Sequence, residues 1–188
     1  MIENSKTNKK FTALNMARIA VCTALLCVLS PLAVPMPFPV PLTLQVLAVM
    51  LTALILSPLQ ALTAQLLYTL LGLVGLPVFS GGKGGFAALA SPTGGFILGF
   101  ILASFLVSLL KGSFESKYAI FRYAAAAVAV GIPSVYIPGI LWFSAVQQID
   151  LITSAKLVAA SFILFDIGKC VAAAFIAYPV NSALKKIK

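Results

Sequence analysis

Asp166 and Lys169 stand three residues apart in the run "SFILFDIGKCVAAAF" (161–175), within a chain that is 61% hydrophobic and 9% charged. On a helix, positions i and i+3 share a face, so the two side chains meet the same surroundings. An ionised group at the centre of a membrane helix costs roughly 2.5–3.5 kcal/mol on insertion scales. Both groups must therefore face protein, a partner or a cavity. Two chemistries are open: the pair can neutralise itself as a structural ion pair, or it can present an acceptor and a donor to a small polar ligand. A Ser161–Lys169 nucleophilic dyad fails on distance, because eight residues of helix separate them by roughly 12 Å along the axis.

Other chemistries are poorly supplied. The chain has no histidine, which removes Ser-His-Asp triads, histidine metal sites and imidazole relays together. Cys22, Cys27 and Cys170 lie in apolar helical stretches without metal-ligand spacing, and read as small core residues. The glycine cluster "SGGKGG" (80–85) is not a phosphate-binding loop: Gly82-Lys83 is followed by Gly84, and Pro77 occupies the position of the leading glycine. Such a segment can fold tightly over a ligand or can serve as a flexible connection. The expectation is a non-enzyme with no cofactor and no metal site.

The elements that must position Asp166 and Lys169 follow from composition. A mean hydropathy of +1.09, with 13 Lys and Arg against 4 Asp and Glu in 188 residues, leaves too few polar side chains to cover a water-facing surface. The chain reads as an all-α membrane protein, a compact bundle of six transmembrane helices near 12–30, 42–57, 59–75, 92–110, 118–137 and 152–180. Residues 1–11 and 181–188 are left as basic tails, and 12–180 form one bundle. The N-terminus resembles a signal peptide but lacks a small-x-small cleavage site, so it is read as a retained first helix.

Lys6, Lys9 and Lys10, then Lys111, Lys117 and Arg122, then Lys185, Lys186 and Lys188 fall on one side of a six-span chain. Positive residues favour the cytoplasm, which places both termini there. The connections 31–41, 76–91 and 138–150 then face outward. The net charge of +9 sets topology and meets anionic lipid head groups rather than nucleic acid. Lys156 has no assigned role. Ala13, Ala17, Ala20 and Ala24 line one face of the first helix, a small-residue stripe that lets another helix approach closely, from this chain or from a separate subunit. Gly95 and Gly99 form a weaker small-residue pair that suits internal packing.

The runs "VPLTLQVLAVMLTALILSP" (40–58), "LLYTLLGLVGLPVFSGGKGGFAALASPTGGFILGF" (66–100) and "FDIGKCVAAA" (165–174) resemble the BioY family. These are the biotin-binding S components of energy-coupling factor transporters, and the likeness extends from about 12 to 180. It implies a six-helix bundle in the bacterial cell membrane that captures biotin from outside and works with a transmembrane coupling subunit and two ATPase subunits. The alanine pairs Ala13/Ala17 and Ala20/Ala24 become the expected docking face for that coupling subunit. The family's ligand-facing motifs correspond to Thr43, Gln45, Tyr68, Gly82, Gly84, Thr93, Gly94, Gly95, Asp166 and Lys169. Lys83 takes no role from the resemblance.

Biotin suits such residues. Its bicyclic head carries urea N–H donors and a C=O acceptor, and its tail ends in a carboxylate. Asp166 can accept from the urea, while Lys169 can donate to an acceptor or neutralise the carboxylate. Thr43 and Gln45 can supply further hydrogen bonds, and Tyr68, Phe79 and Trp142 can pack the rings. The competing readings are an S component for another vitamin and a self-sufficient transporter or facilitator. The latter would show paired internal repeats and an ion-coupling site, neither of which is evident.

Overall fold

The structure is a computed structural model that describes residues 12–34, 40–113 and 115–186, without the side chains of 160 and 161. The first three lysines of the basic pattern and most of the proline cluster lie outside these residues. Described helices are α1 (Ala13–Leu29), α2 (Gln45–Ile55), α3 (Pro58–Leu73), α4 (Phe86–Ala90), α5 (Gly94–Leu110), α6 (Ala119–Ala126), α7 (Ile132–Gln147) and α8 (Leu151–Lys185). A π-helical turn over Ala127–Gly131 joins α6 to α7. A two-stranded ribbon, β1 (Ala33–Val34) and β2 (Leu42–Thr43), pairs antiparallel with Ala33 opposite Thr43.

Helix α2 is the axis of the bundle. It is apolar almost all round, and Gln45, Val46 and every residue from Ala48 to Leu54 are buried, the pattern of a helix enclosed by others. α8 and α5 pack against it, α5 also packs against α3 and α7, and α1 lies on α3. Around this core the outer faces are oily: Val74, Phe121 and Leu164 are 85%, 74% and 78% exposed. The stretches 119–147 and 162–185 are long and apolar enough to cross a bilayer.

Glycine lets α5 and α7 meet closely. A Cβ on Gly95 would lie 2.2 Å from Trp142 Cβ, and one on Gly99 would lie 2.7 Å from the Val135 carbonyl oxygen. The packing expected of the Gly95/Gly99 pair is therefore present inside the chain.

Two boundaries differ from the sequence reading. The fifth helix does not stop at 137: the chain stays helical through Pro138 to Gln147, so the expected connection 138–150 shrinks to 148–150. Pro138 lies inside α7, and packing against α5 holds the helix together across the missing N–H. Gln148, at φ 53°, ends α7, and Asp150 caps α8 by accepting from the Thr153 backbone N–H at 2.8 Å. The sixth helix also continues through Lys185, so residues 181–185 belong to it rather than to a tail. Arg18 Nη2 on α1 donates to the Leu184 carbonyl at 3.3 Å, which ties α1 to the last turn of α8.

Candidate functional site

A cavity enters one end of the bundle between α2, α5, α7 and α8, with about 700 Å³ of space including its open mouth. Its walls are chiefly apolar, from Phe96, Ile97 and Phe100 on α5, Val135 on α7, and Val158 and Phe162 on α8. The ribbon strand β2 and the segment 79–83 reach over it. A concave apolar site with a few converging polar groups is the usual form of a small-molecule pocket.

Asp166 and Lys169 both line this cavity. Lys169 Nζ donates to Asp166 Oδ1 at 2.8 Å, and the pair is largely buried, with side-chain exposures of 13% and 7%. The second carboxylate oxygen, Oδ2, accepts from the Tyr136 hydroxyl at 2.7 Å. Tyr136 is held from behind, since its ring meets Phe96 edge-on with centroids 6.5 Å apart. The charged pair thus remains neutral overall, yet each group keeps hydrogen-bonding capacity: Lys169 has three donors and a carboxylate about four acceptor sites. Side by side, an ammonium and a carboxylate match a ligand edge that carries a carbonyl beside an N–H.

Across the cavity stand Thr43 and Gln45. Gln45 Nε2 donates to the Tyr68 hydroxyl at 2.7 Å, and that hydroxyl donates to the Val78 carbonyl at 3.1 Å. The Gln45 backbone N–H donates to Thr43 Oγ1 at 3.3 Å, fixing the entry into α2. Tyr68 itself is fully buried behind the cavity wall. It orients Gln45 and supports Phe79, whose ring meets it edge-on at 5.6 Å. Phe79 lines the cavity and lies over Gly72, where a Cβ would come within 2.2 Å of the ring.

The sequence-derived residues therefore separate into two groups. Thr43, Gln45, Phe79, Thr93, Asp166 and Lys169 are brought together on the cavity wall. Tyr68, Gly82, Gly84, Gly94 and Gly95 are not part of that wall. Gly84 and Gly94 press on backbone, at 2.4 Å from the Leu76 carbonyl oxygen and 1.8 Å from that of Leu89 if a Cβ is added. Trp142 likewise packs on Gly95 and donates its indole N–H to the Ser91 carbonyl at 3.1 Å. Gly82 and Gly84 thus belong to the glycine-rich loop, whereas Gly94, Gly95 and Trp142 pack the start of α5 against its neighbours.

Sequence reasoning missed Tyr136 and the α8 wall. A signal for both existed. Val158 and Phe162 precede Asp166 by eight and four residues, one continuous helical face, and a tyrosine inside an apolar run needs a partner for its hydroxyl.

The alanines expected to dock a partner, Ala13, Ala17, Ala20 and Ala24, are all exposed along the outside of α1. Among the described residues, no group of His, Cys, Asp and Glu is arranged to hold a metal.

The model of the BioY family matches residues 4–186. The biotin transporter BioY2 of Lactococcus lactis is 40% identical over 153 residues, covering 81% of this chain and 82% of that protein. The biotin transporter BioY of Thermotoga maritima is 38% identical over 160 residues, covering 85% and 91%. A crystal structure of the S-component for biotin from an ECF-type ABC transporter superposes with a TM-score of 0.83 at 27% identity, over 94% of each chain. From its cavity-bearing helical bundle to its sequence, the chain belongs to the BioY family.

Proposed function

We propose that this chain is the membrane-embedded biotin-binding subunit of an energy-coupling factor transporter, a carrier rather than a catalyst. The observation that carries the reading is the Tyr136–Asp166–Lys169 array on one wall of an otherwise apolar cavity. The bicyclic head packs among Phe79, Phe96 and Phe162, and its urea meets Asp166 as acceptor and Lys169 as donor. Gln45 and Thr43 contact the opposite edge. The burial of both charges raises the worth of each such bond above its value in water.

The bundle spans the bacterial cell membrane six times with both termini in the cytoplasm, and the cavity opens outward. The positions of the basic residues support this, since Lys111, Lys117, Arg122, Lys185 and Lys186 gather at the end away from the cavity mouth. The exposed alanine stripe on α1 is the docking face for a transmembrane coupling subunit, which two ATPase subunits drive. A lipid-facing helix with small side chains permits close approach of another helix, and in a bilayer such contact is a main source of association.

Equilibrium binding of labelled biotin to the detergent-purified chain tests the reading, with riboflavin and thiamine as competitors. Saturable binding displaced by biotin alone is expected. Displacement by either competitor at similar concentration, or no saturable binding by a folded preparation, would contradict it.

A further inference from the structure

Lys169 cannot serve both ends of a ligand. Its ammonium already neutralises Asp166 at 2.8 Å. A second carboxylate placed there would bring two anions to one cation in a largely desolvated site, which disfavours the ionised form of one of them. A ligand with a net negative charge therefore needs a cation elsewhere on the cavity wall.

Among the described residues the cavity wall contains one other cation, Lys83. Its backbone is anchored: the Phe79 N–H donates to the Lys83 carbonyl at 2.9 Å, and the Gly82 N–H donates to the Phe79 carbonyl at 3.0 Å. Gly81 and Gly82, at φ 69° and 73°, make this tight reversal, a conformation costly for side-chain-bearing residues. The loop thus fixes where the lysine stem begins, beside the buried Phe79 ring.

No carboxylate of the chain is assigned to Lys83 among the described residues. The chain has four acidic residues. Asp166 is paired with Lys169 and Glu115 with Lys185, Asp150 caps α8, and Glu3 lies outside the described residues.

We infer that Lys83 is the counter-charge for the terminal carboxylate of the ligand, so that the cavity selects a monoanion whose polar ring lies at Asp166 and Lys169 and whose acid lies at the mouth. The inference rests on the biotin reading and narrows it: the free acid is the substrate, and biotin whose carboxyl is esterified or amide-linked is discriminated against. The glycine-rich segment is then a mount for one charge. A mouth-side ammonium also attracts an anionic ligand over distance, an effect that salt screens.

The test is titration of the unsubstituted chain, Lys83→Gln and Lys83→Arg with biotin and with biotin methyl ester, at two salt concentrations. The unsubstituted chain is expected to prefer biotin. K83Q should weaken biotin by roughly 5- to 10-fold, the range for one charge-assisted contact near a surface. It should leave the ester within about twofold and flatten the salt dependence of biotin association, and K83R should restore most of the preference. Equal binding of biotin by K83Q and the unsubstituted chain overturns the inference while leaving the biotin reading intact. Equal weakening of acid and ester by K83Q also overturns it, because that result marks a loop role without charge recognition. Failure of the unsubstituted chain to bind biotin overturns the underlying reading and the inference together.

Discussion

The two ends of α2 are both closed by polar side chains, but the accounts differ. At the C-terminal end, Lys111 Nζ donates to the carbonyls of Ala53, Leu54 and Leu56. Asn181 Nδ2 adds a bond to Leu54 at 3.0 Å, and the Ser108 hydroxyl adds one to Leu56 at 2.6 Å. The three ammonium donors are all used on one helix end, where orphan carbonyls and the negative pole of the dipole both favour a cation. At the N-terminal end the polar groups, Gln45 with Lys169 and Asp166 across the cavity, each have a protein partner and capacity left over. One lysine completes the fold; the other is positioned by the fold and held available. Donor saturation, rather than burial or residue type, separates structural charge from cavity-facing charge here.

The largest effects should follow from damaging the available end. Asp166→Asn keeps the shape but removes the ionised acceptor and leaves Lys169 without its counter-charge, and Lys169→Met does the converse. Each should weaken biotin roughly 10- to 100-fold, the range for bonds involving a charged group. Tyr136→Phe removes one neutral donor to Asp166 and should fall at the lower edge of that range. Titration calorimetry on folded, detergent-purified variants measures all three. Unchanged affinity in both charge variants would sink the assignment of the site.

Damage to the saturated end should appear in stability instead. Lys111→Met leaves the Ala53 carbonyl without a described side-chain donor and removes one partner each from Leu54 and Leu56. A loss of about 1–3 kcal/mol is expected, read as a lower thermal midpoint in detergent, while the folded fraction binds biotin within about twofold of the parent. The comparison breaks if K111M keeps its midpoint but loses biotin affinity as severely as D166N.

These two lysines also show what was legible in the sequence. Asp166 and Lys169 were visible because charge within an apolar run has few explanations, and their spacing alone put them on one face. Lys111 was visible only as a topological marker, since its work depends on the carbonyls of a helix 55 residues or more away, and no local pattern announces a long-range cap. Tyr136 was lost for a related reason. Pro138 suggested that the helix ended nearby, and the α5 packing that carries the chain through that proline is a tertiary property. The glycines of 82, 84, 94 and 95 stood out by type, but type does not say whether a glycine is needed for a positive φ, as at Gly82, or for close approach, as at Gly84 and Gly94 to backbone and Gly95 to Trp142. The helical, apolar character of the chain did carry over, because burial acts on the same residues that set the pattern, while the six expected stretches resolve into eight described helices.

The ion pair between Lys185 and Glu115 sharpens the comparison at its weakest limit. It has the same chemistry as Lys169–Asp166, but its side chains are 60% and 59% exposed. The hydrogen bond and charge of Lys185 lower the acidity constant exponent of Glu115 below the usual carboxylate value. A depressed folded-state value means that any stabilisation is present above the unfolded value and disappears as pH falls through the folded one. Water and salt screen this pair, so it contributes little at any pH. Glu115→Gln should leave both the thermal midpoint at neutral pH and the biotin affinity unchanged within error. If E115Q instead lowers the midpoint as far as K111M does, the pair is fastening the end of α8 to the α5–α6 connection, and exposure would no longer divide the structural charges from the dispensable ones.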